Sequence, residues 1–268
     1  DTRLQSGDEV RIPPIRYTEK ESEHSAPPLK LSEMPPILFE DQNIMVVDKL
    51  AGMASHGGSG ISYGLIERMR ASRPELPFLE LVHRLDRGTS GVLVLAKTRK
   101  ALVRLHEMIR EGEMHKTYQA LVKGDWQNDR QHAKFPLFKY VTPSGERRVR
   151  VDPENGLPSH SIFRLKERFG PVSLVEVDLL TGRTHQIRVH AAELGFPLVG
   201  DEKYGDFAFN DEVAHGSLGV PFKRMFLHSG KICFHHPITG EELEIEAPLP
   251  KDCVELIEVL EQRKAQNK

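Results

Sequence analysis

Short segments of period-two alternation outnumber segments of helical periodicity in this chain, and the two never settle into a strand-helix-strand repeat. That pattern points to an α+β fold with a mixed, largely antiparallel sheet and flanking helices. ILFEDQNIMVVDK, residues 37–49, reads as two short strands around a polar turn, and SLVEVDLL puts Val175, Val177 and Leu179 on one face. KICFHHPITGEELEIEAP carries a Pro/Gly turn followed by Leu243 and Ile245 alternating with glutamates, a hairpin signal. RKALVRLHEMIREG predicts a helix with Leu102, Leu105, Met108 and Ile109 on one face, Thr98 as N-cap and Gly112 as its stop. HQIRVHAAELG gives a second helix, with Ile187, Ala191 and Leu194, and VELIEVLEQRKA a third.

Near the beginning, GDEVRIPP reads as the end of a small β unit stopped by two prolines, and the charged, proline-rich stretch after it reads as a linker. The expected organisation is a remnant unit at 1–16, a linker at 17–36 and a main domain at 37–268. No run of about 18 apolar residues is present to span a bilayer, and the start has no secretory signal pattern. A cytoplasmic protein is expected, with Cys233 and Cys253 as reduced, packed thiols. The formal net charge of -2 argues against a generic nucleic-acid sponge, so any polyanion site must be local.

Chemistry concentrates in three places. HRLDRGTSG, residues 83–91, sets Asp86 between Arg84 and Arg87 among turn residues. A carboxylate, with an ordinary pKa near ~3.9, is ionised at neutral pH and suits a nucleophile or base better than an acid. Taken alone, the segment reads equally well as a turn whose aspartate bonds nearby backbone amides. TGRTHQIRVH, residues 181–190, offers Arg183, Arg188 and His190 at a strand-to-helix join. Cations there oppose the helix dipole and call for an anionic partner, so Arg183 is expected to meet Asp86. MHKTYQALVKG places Lys116 and Tyr118 on one face of a strand, where the tyrosine either stacks on a ring or packs at a core edge.

His83, His185, His190, His228, His235 and His236 do not fall into a metal-ligand spacing, and no metal is expected. HGGSG, residues 56–60, lacks the lysine and spacing of a phosphate loop and reads as an active-site turn. A basic arm, GERRVRV, carries Arg147, Arg148 and Arg150 and is either a phosphate grip or a solvated hairpin.

Read in order, ILFEDQNIMVVDKLAGMASHGGSG, LVHRLDRGTSGVLVLAKT, HKTYQALVKG, LTGRTHQIRVHAAELGFPLVGDEKYG and RMFLHSGKICFHHP resemble the successive motifs of the RluA-type RNA pseudouridine synthases over roughly residues 37–250. GDEVRIPP is similar to the end of the S4-type RNA-binding domain that many members carry. The resemblance implies the family's fold with a central catalytic cleft, no cofactor, and isomerisation of uridines in RNA, with 23S large-subunit ribosomal RNA as substrate and a monomeric enzyme. It implies that Asp86 is the catalytic aspartate, attacking C1′ or C6 or assisting loss of a ribose proton. Arg183 would pair with it, and Tyr118 would pack on the uracil. Arg84 would fill the space the base leaves. His83, Arg87, Lys116, His185, Arg188, Arg147 and Arg148 would contact substrate. Gly88, where members often have an acid, is a departure that implies altered loop detail with activity retained. The competing readings are a non-catalytic RNA-binding or ribosome-assembly module, a synthase acting on tRNA, and a hydrolase, which would need a second carboxylate or metal ligands in fixed spacing.

Overall fold

The structure, a computed structural model, describes residues 26–58 and 61–266. Along the chain run β1 (Ile37–Glu40), β2 (Ile44–Lys49), α1 (Leu65–Ser72), β3 (Glu80–Leu81), β4 (Ser90–Ala96), α2 (Arg99–Glu111) and β5 (His115–Lys123). They are followed by β6 (Arg130–Ala133), β7 (Leu137–Val141), β8 (Arg147–Val151), β9 (Ser161–Arg168), β10 (Val172–Leu179) and α3 (Gln186–Glu193). The last elements are α4 (Phe207–Ala214), β11 (Leu227–His235), β12 (Glu242–Glu246) and α5 (Lys251–Gln266).

One large sheet runs β1-β2-β4-β11-β5-β10-β9-β6, with β3 added on β4 and β12 on β11, and β7-β8 forms a separate ribbon. All pairings are antiparallel except that of β4 with β11. The α+β, mostly antiparallel reading is therefore met. The exception lies at the centre, where SGVLVLA of β4 is buried at every position, as an apolar run without alternation requires. β4 and β11 pair only through His228 with Ser90 and Ser229 with Gly91. Gly91 has φ 111°, and a Cβ there would stand 2.2 Å from the Ser229 carbonyl oxygen, so only glycine allows the approach.

Helix α2 forms as predicted. Thr98 Oγ1 accepts from Ala101 N at 3.2 Å, Gly112 ends the helix at φ 74°, and Ala101, Leu105 and Met108 pack against Ile44, Val46, Val92 and Val94. A fully buried aliphatic side chain of this kind contributes about 1.5–3 kcal/mol. Ile109 departs from the predicted face, because one residue beyond Met108 is a rotation of about 100°. It is 37% exposed and turns into the cleft described below.

The expected unit at 1–16 and the linker up to residue 25 lie outside the described residues. From residue 26 the stretch expected to be a linker is docked on α1: Leu29 is buried in the main core, its N–H donates to Ser72 Oγ, and Glu33 pairs with Arg68. Two of its apolar residues, Leu29 and Met34, pack there, which outweighs the charge of their neighbours. At the other side the β7-β8 arm is pinned by its base. Leu137 and Val149 pack with Val189 of α3, and Val149 N donates to the Tyr204 hydroxyl at 2.9 Å.

Adjacent strands set up the site. The Asp86 loop leads into β4, Tyr118 lies on β5 and Arg188 on the helix that follows β10, and β4, β11, β5 and β10 stand side by side in the sheet.

Candidate active site

Leu85 points inward and is 6% exposed, and both its N–H and its carbonyl oxygen bond to Ser55 Oγ, at 3.1 and 2.7 Å. Behind the loop, the fully buried Lys49 donates to the carbonyls of Leu50 and Met53 at 2.9 and 2.7 Å and reaches that of Arg87 at 3.5 Å. Burial pushes Lys49 down to about 7, opposed by the charge of Asp86. Arg87, expected at substrate, instead closes the loop on itself: its Nε donates to Gly52 O, and Gly52 N donates to Arg87 O. Asp86 is thereby turned out of a rigid turn into a cleft of about 420 Å³.

The arginine that meets Asp86 is Arg188. Its Nη1 donates to Asp86 Oδ2 at 3.1 Å, while Nε and Nη2 both reach the buried Asp201 at 2.7 Å. Burial alone would lower the Arg188 pKa, but the hydrogen bonds and charge of Asp201, with Asp86, raise it above its usual value. Arg183 stands three residues before α3, exposed in the join, and donates its Nε to Pro158 O at 3.2 Å. From the sequence Arg183 is expected to meet Asp86, but the arginine of this helix start that does so is a different one. The pairing falls to Arg188 because that residue lies in the first turn, facing inward, whereas Arg183 precedes the helix.

His185 is the one non-glycine residue with positive φ (53°) among those described, a strained backbone at the N-cap of α3. Its Nδ1 meets the Tyr204 hydroxyl at 2.7 Å, and its Nε2 stands 3.9 Å from Asp86 Oδ1. Burial lowers its pKa, with the charge of Asp86 opposing. Tyr204 also lies under the Arg188 guanidinium, 5.1 Å from centre to centre, and so couples the arm, the helix and the acid.

On the cleft floor Tyr118 is 5% exposed and hydrogen-bonded to Ser229, and burial raises its pKa. Lys116 lines the same cleft, pushed down to about 8 by burial. The His83 ring also lines it, but its Nε2 accepts from Val94 N at 3.2 Å, and burial, then Lys116, holds it neutral. Arg84, exposed at the rim, donates to His56 Nε2 at 2.5 Å; His56 Nδ1 therefore carries the proton and donates to Gly57 O.

A second opening of about 290 Å³ separates Arg84 and His185 from Tyr140, Arg147 and Arg148 of the arm. Within the arm, Arg148 is paired with Glu146 and Arg150 with Asp152, so only the Arg147 guanidinium lacks a carboxylate among the described residues. No group of three or more His, Cys, Asp or Glu side chains among the described residues converges as a metal site would.

Sequence reasoning missed Asp201, Tyr204, Lys49 and Ser55. A buried acid shortly after a helix that carries an inward arginine was the available signal for Asp201; the others depend on loop packing that no local pattern encodes.

Several histidines are buried in neutral form. His190 is wholly buried between Ser159 Oγ (2.8 Å) and Ser161 Oγ (3.0 Å), and burial lowers it to about 4; burial also lowers His83 and His228. The unfolded chain takes up these protons near pH 6.5 and the folded chain only lower, so stability is lost as pH falls from about 6.5 toward 4. His190 alone should cost about 2 kcal/mol by pH 5. Thermal melts from pH 7.5 to 5 should show a falling midpoint, and a flat profile over that window would contradict the neutral, buried assignment.

A profile of the RNA pseudouridylate synthase family matches residues 43–193. The chain is 49% identical to the ribosomal large subunit pseudouridine synthase C of Salmonella typhi, across 96% of this chain and 81% of that protein. With the protein of the same name from Escherichia coli (strain K12) it shares 49%, across 92% and 77%. The chain belongs to the RNA pseudouridylate synthase family. It is therefore an isomerase that converts uridine to pseudouridine in RNA. Human RNA Pseudouridylate Synthase Domain Containing 1 superposes with TM-score 0.65 at 26% identity, over 85% of this chain and 95% of that one. Human RNA Pseudouridylate Synthase Domain Containing 4 superposes at 0.68 with 22% identity, over 84% and 92%, a likeness of fold.

Proposed function

We propose that this synthase modifies uridines of 23S large-subunit ribosomal RNA in the cytoplasm, with Asp86 as the group that acts on the uridine. What carries the reading is one cleft in which a carboxylate held by Arg188 faces a buried tyrosine, in a chain about half identical to synthases named for the ribosomal large subunit. The two unpaired cysteines suit a reducing compartment, and no described helix is long and apolar enough to cross a membrane.

The reaction breaks the C1′–N1 bond of uridine, rotates the uracil in place and forms a C1′–C5 bond; the C5 proton is released and N1 gains one, so no electrons are exchanged. Each route open to Asp86 uses its ionised carboxylate, as nucleophile at C1′ or C6 or as base on the ribose. Tyr118 supplies the flat surface against which the uracil turns. Arg188 holds the carboxylate, with His185 beside it, while Asp201 fixes Arg188. Flipping the uridine out of its stack costs a few kcal/mol, and Arg84, free at the rim apart from His56, is the planar cation that takes its place. Arg147 and Lys139, neither paired with a carboxylate among the described residues, offer the arm's charge to phosphate.

The test is tritium release from uracil C5 in whole large-subunit RNA, with modified positions mapped afterwards. Release from large-subunit RNA and little from tRNA is the expected result; the reverse preference would assign the enzyme to tRNA.

A further inference from the structure

The cleft extends beyond what isomerisation at one base needs. Besides Asp86 and Tyr118, its lining includes Lys116 of β5 and His106, Ile109 and Arg110 of α2. Five arginines and lysines line the cleft, Arg84, Arg110, Lys116, Arg183 and Arg188, against one carboxylate, Asp86. Arg188 is neutralised by Asp86 and Asp201. Lys116 and Arg110 have no carboxylate or hydrogen-bond partner among the described residues. A C-terminal position on a helix accounts for an exposed arginine such as Arg110. It does not account for a lysine set into the cleft wall with nothing to bond, because desolvating an unpaired ammonium is unfavourable unless an anion arrives. The neighbouring α2 cation Arg104 shows the contrast, since it is ringed by Glu107, Glu111 and Glu113.

We propose that Lys116 and Arg110, with His106 one helical turn before Arg110, form a subsite for the RNA phosphodiester adjoining the target uridine. Lys116 and Tyr118 share a face of β5 two residues apart, about 7 Å along the strand. One nucleotide can therefore lay its base on Tyr118 and its phosphate on Lys116. Arg110 supplies the planar fork suited to two phosphate oxygens, Lys116 a point charge beneath them. Ile109, 37% exposed in the lining of the cleft, precedes Arg110 and adds an apolar side chain beside the charged pair. Nothing in the reaction at C1′ uses these side chains, so the subsite fixes register and affinity.

The proposal rests on the RNA substrate reading above, and a coupling experiment separates the two. RNA fragments are made in which the phosphate on the 5′ or the 3′ side of the target uridine is a neutral methylphosphonate. Binding and single-turnover tritium release are measured for the wild-type protein, Arg110→Ala, Lys116→Met and the double variant. Wild type should bind one of the two modified RNAs about tenfold more weakly than unmodified RNA, and the double variant should not distinguish them. Each lost charge should also flatten the salt dependence of binding by a slope of about 0.7–0.9. Arg110→Ala should raise KM by a larger factor than it lowers release at saturating RNA. Equal penalties in wild type and double variant for both linkages would overturn the subsite while leaving the substrate reading intact. Absence of release by the wild-type protein from whole large-subunit RNA would overturn that reading and the subsite with it.

Discussion

Asp86→Asn should fold, bind RNA and form no pseudouridine, with single-turnover release of C5 tritium down by about 10⁴-fold or more. The amide preserves the shape of the side chain and removes the charge that every route uses. It should not unfold the protein, because Arg188 keeps both hydrogen bonds to Asp201 when its third, to Asp86, is weakened. The expected stability change is within about 1 kcal/mol, and the affinity for RNA, carried by phosphate contacts elsewhere, should be unchanged within a few-fold. Turnover near wild type would remove Asp86 from the mechanism. A melting point lowered by many degrees would mean instead that the carboxylate is structural.

Sequence period and composition disclosed the fold class because the signals are local: the short apolar run of β2, alternation in β10, the Thr98 and Gly112 caps of α2, the turn before β12. The parallel pairing of β4 with β11 was not legible, since it joins residues 138 apart in sequence and rests on the absence of one side chain at Gly91. The site was half legible for a similar reason. Asp86, Tyr118 and Arg188 lie in quoted motifs, so the residues were found; which arginine meets the acid depends on where α3 begins and which way its first turn faces. Local reasoning could assign charge to the join between β10 and α3 but not aim it. Lys116 was selected, Arg110 was not, because on a helix wheel it is an ordinary solvated cation until the cleft is seen.

That distinction between arginines gives the second large effect. Arg188 is 8% exposed in its side chain and bridges two carboxylates, one buried and one in the cleft, so its fork spans a gap that a single ammonium cannot. Arg188→Lys should lower single-turnover chemistry by about 10²–10³-fold, since a displaced Asp86 loses its orientation. Arg188→Met should go further and destabilise the fold by about 3–5 kcal/mol, because Asp201 remains buried without its partner. Pairing that change with Asp201→Asn should restore much of the stability and none of the activity, which separates folding from chemistry. Arg183→Lys should keep wild-type turnover and alter RNA affinity by no more than a few-fold, since Arg183 is exposed and bonds only the Pro158 carbonyl. If Arg183→Lys abolished turnover while Arg188→Lys remained active, Arg183 would have to swing onto Asp86 when RNA binds, and the pairing seen here would belong to the free enzyme alone.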